Sequence, residues 1–348
     1  MGSFAFASIL MAVIPFIGTY TPSGVGFGIV SVCVFLSGCC FGISNASAYG
    51  LAALLPKKYN AAMVLGSSAG GVMINIIRII CLASFPLDKS GIETSTTIYF
   101  LVVAALIAVG ILCHSLTMAH PMVQRAIVKG AAREARRKTS VMMGNEEAAA
   151  ATGLATGLRT ASINEGDKPI EATTTWQFIK DVGPFVFWGW LAFGISFTVY
   201  PGVAVATTDQ YLPYSWLVIL LVTTRNLSDT VGKKMTEYWF PSKTVCWIIS
   251  MSRFIFIATF ILIASDDPRV PPGELFNSTW FKFFNMWMFS LTNGFMLSMS
   301  ATMAPSNVHP LWKNACGKAT GTSFIYGGFC GSLIALGLTN VGTHPTGN

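Results

Sequence analysis

The chain has 348 residues, 53% of them hydrophobic and 11% charged, with a net charge of +7. A soluble domain carries about a quarter charged residues, so this much apolar surface calls for lipid, and the fold class is an all-α polytopic membrane protein. The positive charge forms no basic face interleaved with exposed aromatics, which excludes a nucleic-acid binder.

Apolar runs long enough to cross the hydrocarbon core fall near 3–20, 24–55, 60–85, 97–119, 177–206, 213–238, 243–265, 279–303 and 315–341, about nine spans. No basic residues precede the first, so it reads as a span and not a secretory signal. The chain opens almost inside it, which suggests that an N-terminal part is missing. The second span carries Ser44-Asn45-Ala46-Ser47 deep in an apolar run. Gly38, Gly42, Ala46 and Gly50 recur every four residues there, a stripe that admits another helix closely. Asn45 lies one position off the stripe and either points into a central cavity or bonds to a neighbouring helix. The third span repeats the small-residue device with Gly66-Ser67-Ser68-Ala69-Gly70-Gly71, then Asn75 and Arg78.

Residues 121–175 are of another kind, rich in Ala, Thr, Glu, Lys and Arg, and read as a charged, largely flexible cytoplasmic loop. They separate an N-terminal helical bundle, 1–120, from a C-terminal one, 176–348. The cluster Arg125, Lys129, Arg133, Arg136, Arg137 and Lys138 either anchors the preceding helix or attracts anionic lipid. Lys57, Lys58, this cluster, Lys233, Lys234, Lys243, Lys313 and Lys318 all fall on one side of a nine-span arrangement. By the positive-inside rule that side is cytoplasmic, with the N-terminus inside and the C-terminus outside. Asn277-Ser278-Thr279 then lies outside and fits a glycosylation acceptor.

In the fifth span Pro201 breaks or kinks the helix, as a gate hinge or as a plain bend. The sixth holds Arg225-Asn226-Leu227-Ser228-Asp229-Thr230-Val231-Gly232-Lys233. Asn226, Asp229 and Lys233 share one helical face, and Asp229 can pair with Lys233 or with Arg225, each four residues away. Ionisable groups at membrane depth mark a cavity or pathway by default. Lys233 and Lys234 could instead reach the cytoplasmic surface from the helix end. Arg253 in the seventh span needs a carboxylate or a backbone carbonyl. Gly317/Gly321 and Gly327/Gly331 in the last have packing spacing.

Nearly all of the eight cysteines sit in apolar runs and they form no zinc-type pair, and the four histidines form no ligand pair, so neither metal nor cofactor is expected. No H-E-x-x-H or P-loop is present and no acid–base constellation is visible, which argues against an enzyme.

Several strings, in order, resemble the equilibrative nucleoside transporter family. Tyr49-Gly50-Leu51-Ala52-Ala53-Leu54-Leu55-Pro56, preceded by Asn45 and Ser47, is similar to its fourth span, and Gly66 to Val72 with Arg78-Ile79 to its fifth. Phe197-Thr198-Val199-Tyr200-Pro201-Gly202-Val203 resembles the end of its seventh, and Asn226-x-x-Asp229-x-x-Gly232-Lys233 its eighth. Thr292-Asn293-Gly294 and Ala304-Pro305 resemble its tenth and the approach to its eleventh. The resemblance covers essentially the whole chain, as family spans three to eleven, without the first two. It implies two helical bundles of major-facilitator type around a central cavity; the plasma membrane is the default location. It also implies alternating-access transport of nucleosides or nucleobases, facilitated or proton-coupled. In that family the eighth-span acid and base contact substrate and a fourth-span polar side chain reads the base. Those roles carry over to Asp229, Lys233 and Asn45, with Asn226 and Ser47 beside them and Gly66, Gly70, Gly71 and Pro201 in packing or gating. Lys233 stands where the family usually has Arg, Ser68 where it has Gly and Ser67 where it has Gln. A major-facilitator carrier of another small polar solute, a truncated paralogue unable to transport, and a scaffold or receptor are the competing expectations.

Overall fold

The computed structural model describes residues 2–20, 23–86, 88–132, 135, 175–205, 207–264 and 274–342, and among them there is no β-strand. The helices in chain order are α1 (Gly2–Tyr20), α2 (Ser23–Ala52), α3 (Lys57–Ser84), α4 (Lys89–Ala119), α5 (121–132), α6 (Thr175–Val199) and α7 (Gly202–Val205). They continue with α8 (Tyr214–Met235), α9 (Lys243–Ser252), α10 (Phe254–Ala264), α11 (Glu274–Asn277), α12 (Thr279–Met303) and α13 (Lys313–Gly342).

Each of the nine apolar runs is helical, and the differences lie at their ends. α4 starts at Lys89, earlier than the expected 97. Thr94 and Thr97 in this polar first part return their hydroxyls to the carbonyls of Ser90 and Glu93, which satisfies them within the helix. Asp88 caps it, accepting from Gly91 N at 2.7 Å. α6 stops at Val199, before Pro201, and not at 206. The seventh run is two helices meeting at Arg253. Where the charged loop was expected to open, residues 121–132 are helical; 136–174 lie outside the described residues.

Among the described residues six helical stretches, α2, α3, α4, α6, α9 together with α10, and α13, are long and apolar enough to cross a membrane, which makes this a multi-pass membrane protein. α8 and α12 are not among the six, and both are packed deep in the bundle. α1 to α4 pack on one another, as do α6, α8, α12 and α13. The two sets meet along α3–α8, α3–α12 and α2–α13. Small residues set these approaches. A methyl group at Gly317 would fall 2.3 Å from Tyr49 O on α2, and one at Gly331 would fall 2.1 Å from Gly194 O on α6. The α13 stripes read from sequence therefore serve two different neighbours.

Candidate functional site

Lipid offers no partners to a charge, so an ionised side chain at membrane depth must find them in the protein. Asp229 and Lys233 stand one turn apart on α8, and Lys233 Nζ lies 3.0 Å from Asp229 Oδ2. Both are buried, at 9% and 7% exposure. α3 closes over them. Ser68 Oγ donates to Asp229 Oδ2 at 2.5 Å, and Lys233 Nζ donates to Ser67 Oγ at 3.1 Å and to Ser68 Oγ. From α12, Asn293 Nδ2 donates to Asp229 Oδ1 at 2.8 Å. The carboxylate thus takes donors on both oxygens, from three helices. Chemically this is an acid and a base held side by side, with a hydroxyl lodged between them.

Asn226 turns to the same side: a methyl group at Gly71 would lie 3.0 Å from its Nδ2. Arg225 is engaged elsewhere, with Asn226 Oδ1 at 3.2 Å and the Tyr200 ring at 4.4 Å. Of the two bases that spacing offered Asp229, Lys233 is the one in contact. Lys234 faces outward, exposed and 2.6 Å from Glu237 Oε2. Helix geometry therefore separates two adjacent lysines that composition could not.

The other sequence-derived positions are scattered. Asn45 is half-buried on α2, and among the described residues no hydrogen bond joins it to Asp229 or Lys233. Ser47 is exposed and its hydroxyl returns to Ile43 O at 2.9 Å, a bond within its own helix. Gly66 and Gly70 have open space where a Cβ would sit, so only Gly71 of that trio meets another helix. Pro201 lies between α6 and α7, after a cis Tyr200–Pro201 bond. Asn277 ends α11, and its side chain lies outside the described residues.

Ser196 and the Asn293 side chain were not singled out for chemistry in the sequence, because no local spacing links α6 or α12 to α8. A second ion pair was also missed. Lys282 Nζ reaches Asp209 Oδ2 at 3.3 Å and Thr208 O at 2.6 Å, while Thr279 Oγ1 and Tyr211 N donate to Asp209 at 2.8 and 2.9 Å. Burial acts to raise the Asp209 carboxyl, but the Tyr211, Thr279 and Lys282 donors outweigh it and hold it below the usual carboxylate range. A mainly apolar groove of 540 Å³ between α6 and α13, lined by Phe187, Trp190, Lys318 and Tyr326 among others, does not include the Asp229 pair.

A family model described as Nucleoside transporter matches residues 29–339. Equilibrative nucleotide transporter 1 of Arabidopsis thaliana is 24% identical over 312 residues, covering 89% of this chain and 63% of that protein. Equilibrative nucleotide transporter 8 of the same plant is 25% identical, covering 79% and 60%, and Equilibrative nucleoside transporter 1 of Homo sapiens is 23% identical, covering 77% and 59%. The chain spans about three fifths of the length of these relatives.

Proposed function

Because the chain belongs to the nucleoside transporter family, we propose that it carries nucleosides across the plasma membrane by alternating access. The family is one of transporters, not enzymes. The observation that carries this reading is the buried Asp229–Lys233 pair at the meeting of α3 and α8. A ribose or base edge offers donors and acceptors at once, and this pair answers both. Ser68 now lies between the two charges, where a substrate hydroxyl can replace it once α3 withdraws. Ser67 bonds to Lys233 and is itself exposed, so the pair is nearest to the surface there. Substrate entry then separates the α1–α4 set from the α6–α13 set along α3–α8, and rocking the two sets exposes the site alternately.

The test is uptake of tritiated adenosine in cells lacking nucleoside transport, comparing the chain with Asp229→Ala and Asp229→Asn at equal surface abundance. Saturable uptake lost in both variants is the expected result. Uptake that survives Asp229→Ala would remove the pair from the site. Competition by uridine and hypoxanthine, with and without an imposed pH gradient, then sorts nucleoside from nucleobase and passive from proton-coupled transport.

A further inference from the structure

Arg253 is fully buried, and among the described residues no carboxylate lies within ion-pair distance of it. A buried guanidinium is costly unless its donors are used. Here they are used in an ordered way. Nη1 donates to Phe289 O at 2.9 Å and Thr292 Oγ1 at 2.7 Å. Nη2 donates to Ser196 Oγ at 2.9 Å, Asn293 Oδ1 at 3.3 Å and Ala192 O at 3.4 Å. Nε alone finds no partner. Ser196 Oγ also donates to Asn293 Oδ1, at 2.7 Å.

The Asn293 amide has one accepting end and one donating end, alike in shape and opposite in chemistry. Arg253 and Ser196 both donate, so they hold its oxygen. Its nitrogen must then face Asp229 Oδ1, 2.8 Å away. Turning the amide over would set N–H against guanidinium and oxygen against carboxylate, unfavourable at both ends. We infer that Arg253 is a positioning residue: through Asn293 it fixes the donor that orients Asp229, without touching the substrate. The inference rests on the transport reading of Asp229 given above. Its basis is separate, a chain of bonds running from the α9–α10 junction through α12 to α8.

The experiment is a double-mutant cycle on adenosine uptake with Arg253→Gln, Asn293→Ala and the pair of them together, normalised to surface abundance. Each single variant should raise KM by about tenfold or more, the scale of one charge-assisted hydrogen bond, with the maximal rate per transporter little changed. The double variant should be no worse than the weaker single, because both cut one chain. Multiplying effects, or an unchanged KM in Arg253→Gln, would overturn the inference. Arg253→Lys keeps the buried charge without the planar fork, and the same cycle with it serves if the Gln variant fails to reach the surface. If the unaltered chain shows no uptake, the functional reading fails on its own. The cycle is then read as melting temperature of the purified chain, with Arg253→Lys against Asp229→Asn. Coupling between the two keeps the bond chain, and additivity ends it.

Discussion

α4 and α12 are both long helices of this bundle, and they are built on opposite plans. α4 is strongly apolar, and among those of its residues whose burial is described only Gly91, Ser95 and Ala104 are buried. α12 carries Lys282, Asn285, Asn293 and a run of serines and threonines, and fifteen of its 25 residues are buried. In water the apolar helix would be the inner one. In lipid the order reverses, because hydrocarbon solvates leucine as well as a protein interior does, while polar groups must find partners inside. Hydrophobicity thus locates the wall of this molecule, and polarity at membrane depth locates its centre.

The sharpest way to break that contrast is a methyl group. At Gly294 on α12 it would fall 2.0 Å from Asp229 O, so α8 and α12 would have to separate. At Gly110 on α4 it meets nothing within 4 Å. Gly294→Ala should lower thermal stability in detergent by about 3 kcal/mol or more, in the range of severe overpacking. Gly110→Ala should change it by no more than about 1 kcal/mol, in the stabilising direction, through helix propensity. Equal effects at the two positions would mean that the two helices are not wall and centre.

A smaller effect is expected from the Asp209–Lys282 pair, where α12 emerges beside the α7–α8 connection. The folded Asp209 carboxyl lies below its ordinary value, so its contribution to stability is full above the unfolded value of about 3.9. It is lost as pH falls through the folded value. The melting temperature of the unaltered chain minus that of Asp209→Asn should therefore be positive and flat from neutral pH down to about 5, then shrink at lower pH. A difference that grows on acidification would reverse the sign and mean that the pair does not stabilise the fold.

These two contrasts also mark how far the sequence can be read. The helical course of the nine apolar runs follows from their length, since the bilayer sets a length that composition reveals. The shared face of Asn226, Asp229 and Lys233 follows from 3.6 residues per turn, and all three do turn toward α3. What the sequence withholds is the partner across the bundle. Ser68 is 161 residues from Asp229, Asn293 is 64 away, and Lys282 is 73 from Asp209. No period links such positions; only the packing of finished helices does. Ser47 shows the same limit from the other side: it stands beside Asn45 in a polar string, and its hydroxyl bonds one turn back to Ile43 O on its own helix, a local bond that spacing alone does not announce.

The finest test of wall against centre uses two neighbours. Lys233 and Lys234 are the same residue type, one position and about 100° of helix apart. Lys233 is held between Asp229, Ser67 and Ser68, whereas Lys234 lies at the exposed end of α8 against Glu237 and the Tyr238 ring. Lys233→Ala strips Asp229 of its counter-charge inside the bundle and should abolish adenosine uptake. Lys234→Ala removes a solvent-screened contact and should leave uptake and melting temperature unchanged. Lys233→Arg keeps the charge and adds a fork that can grip a substrate on two atoms, so it should retain transport. Loss at Lys234 with tolerance at Lys233 would require α8 to be rotated by about one residue, and would send Asp229 away from α3 along with it.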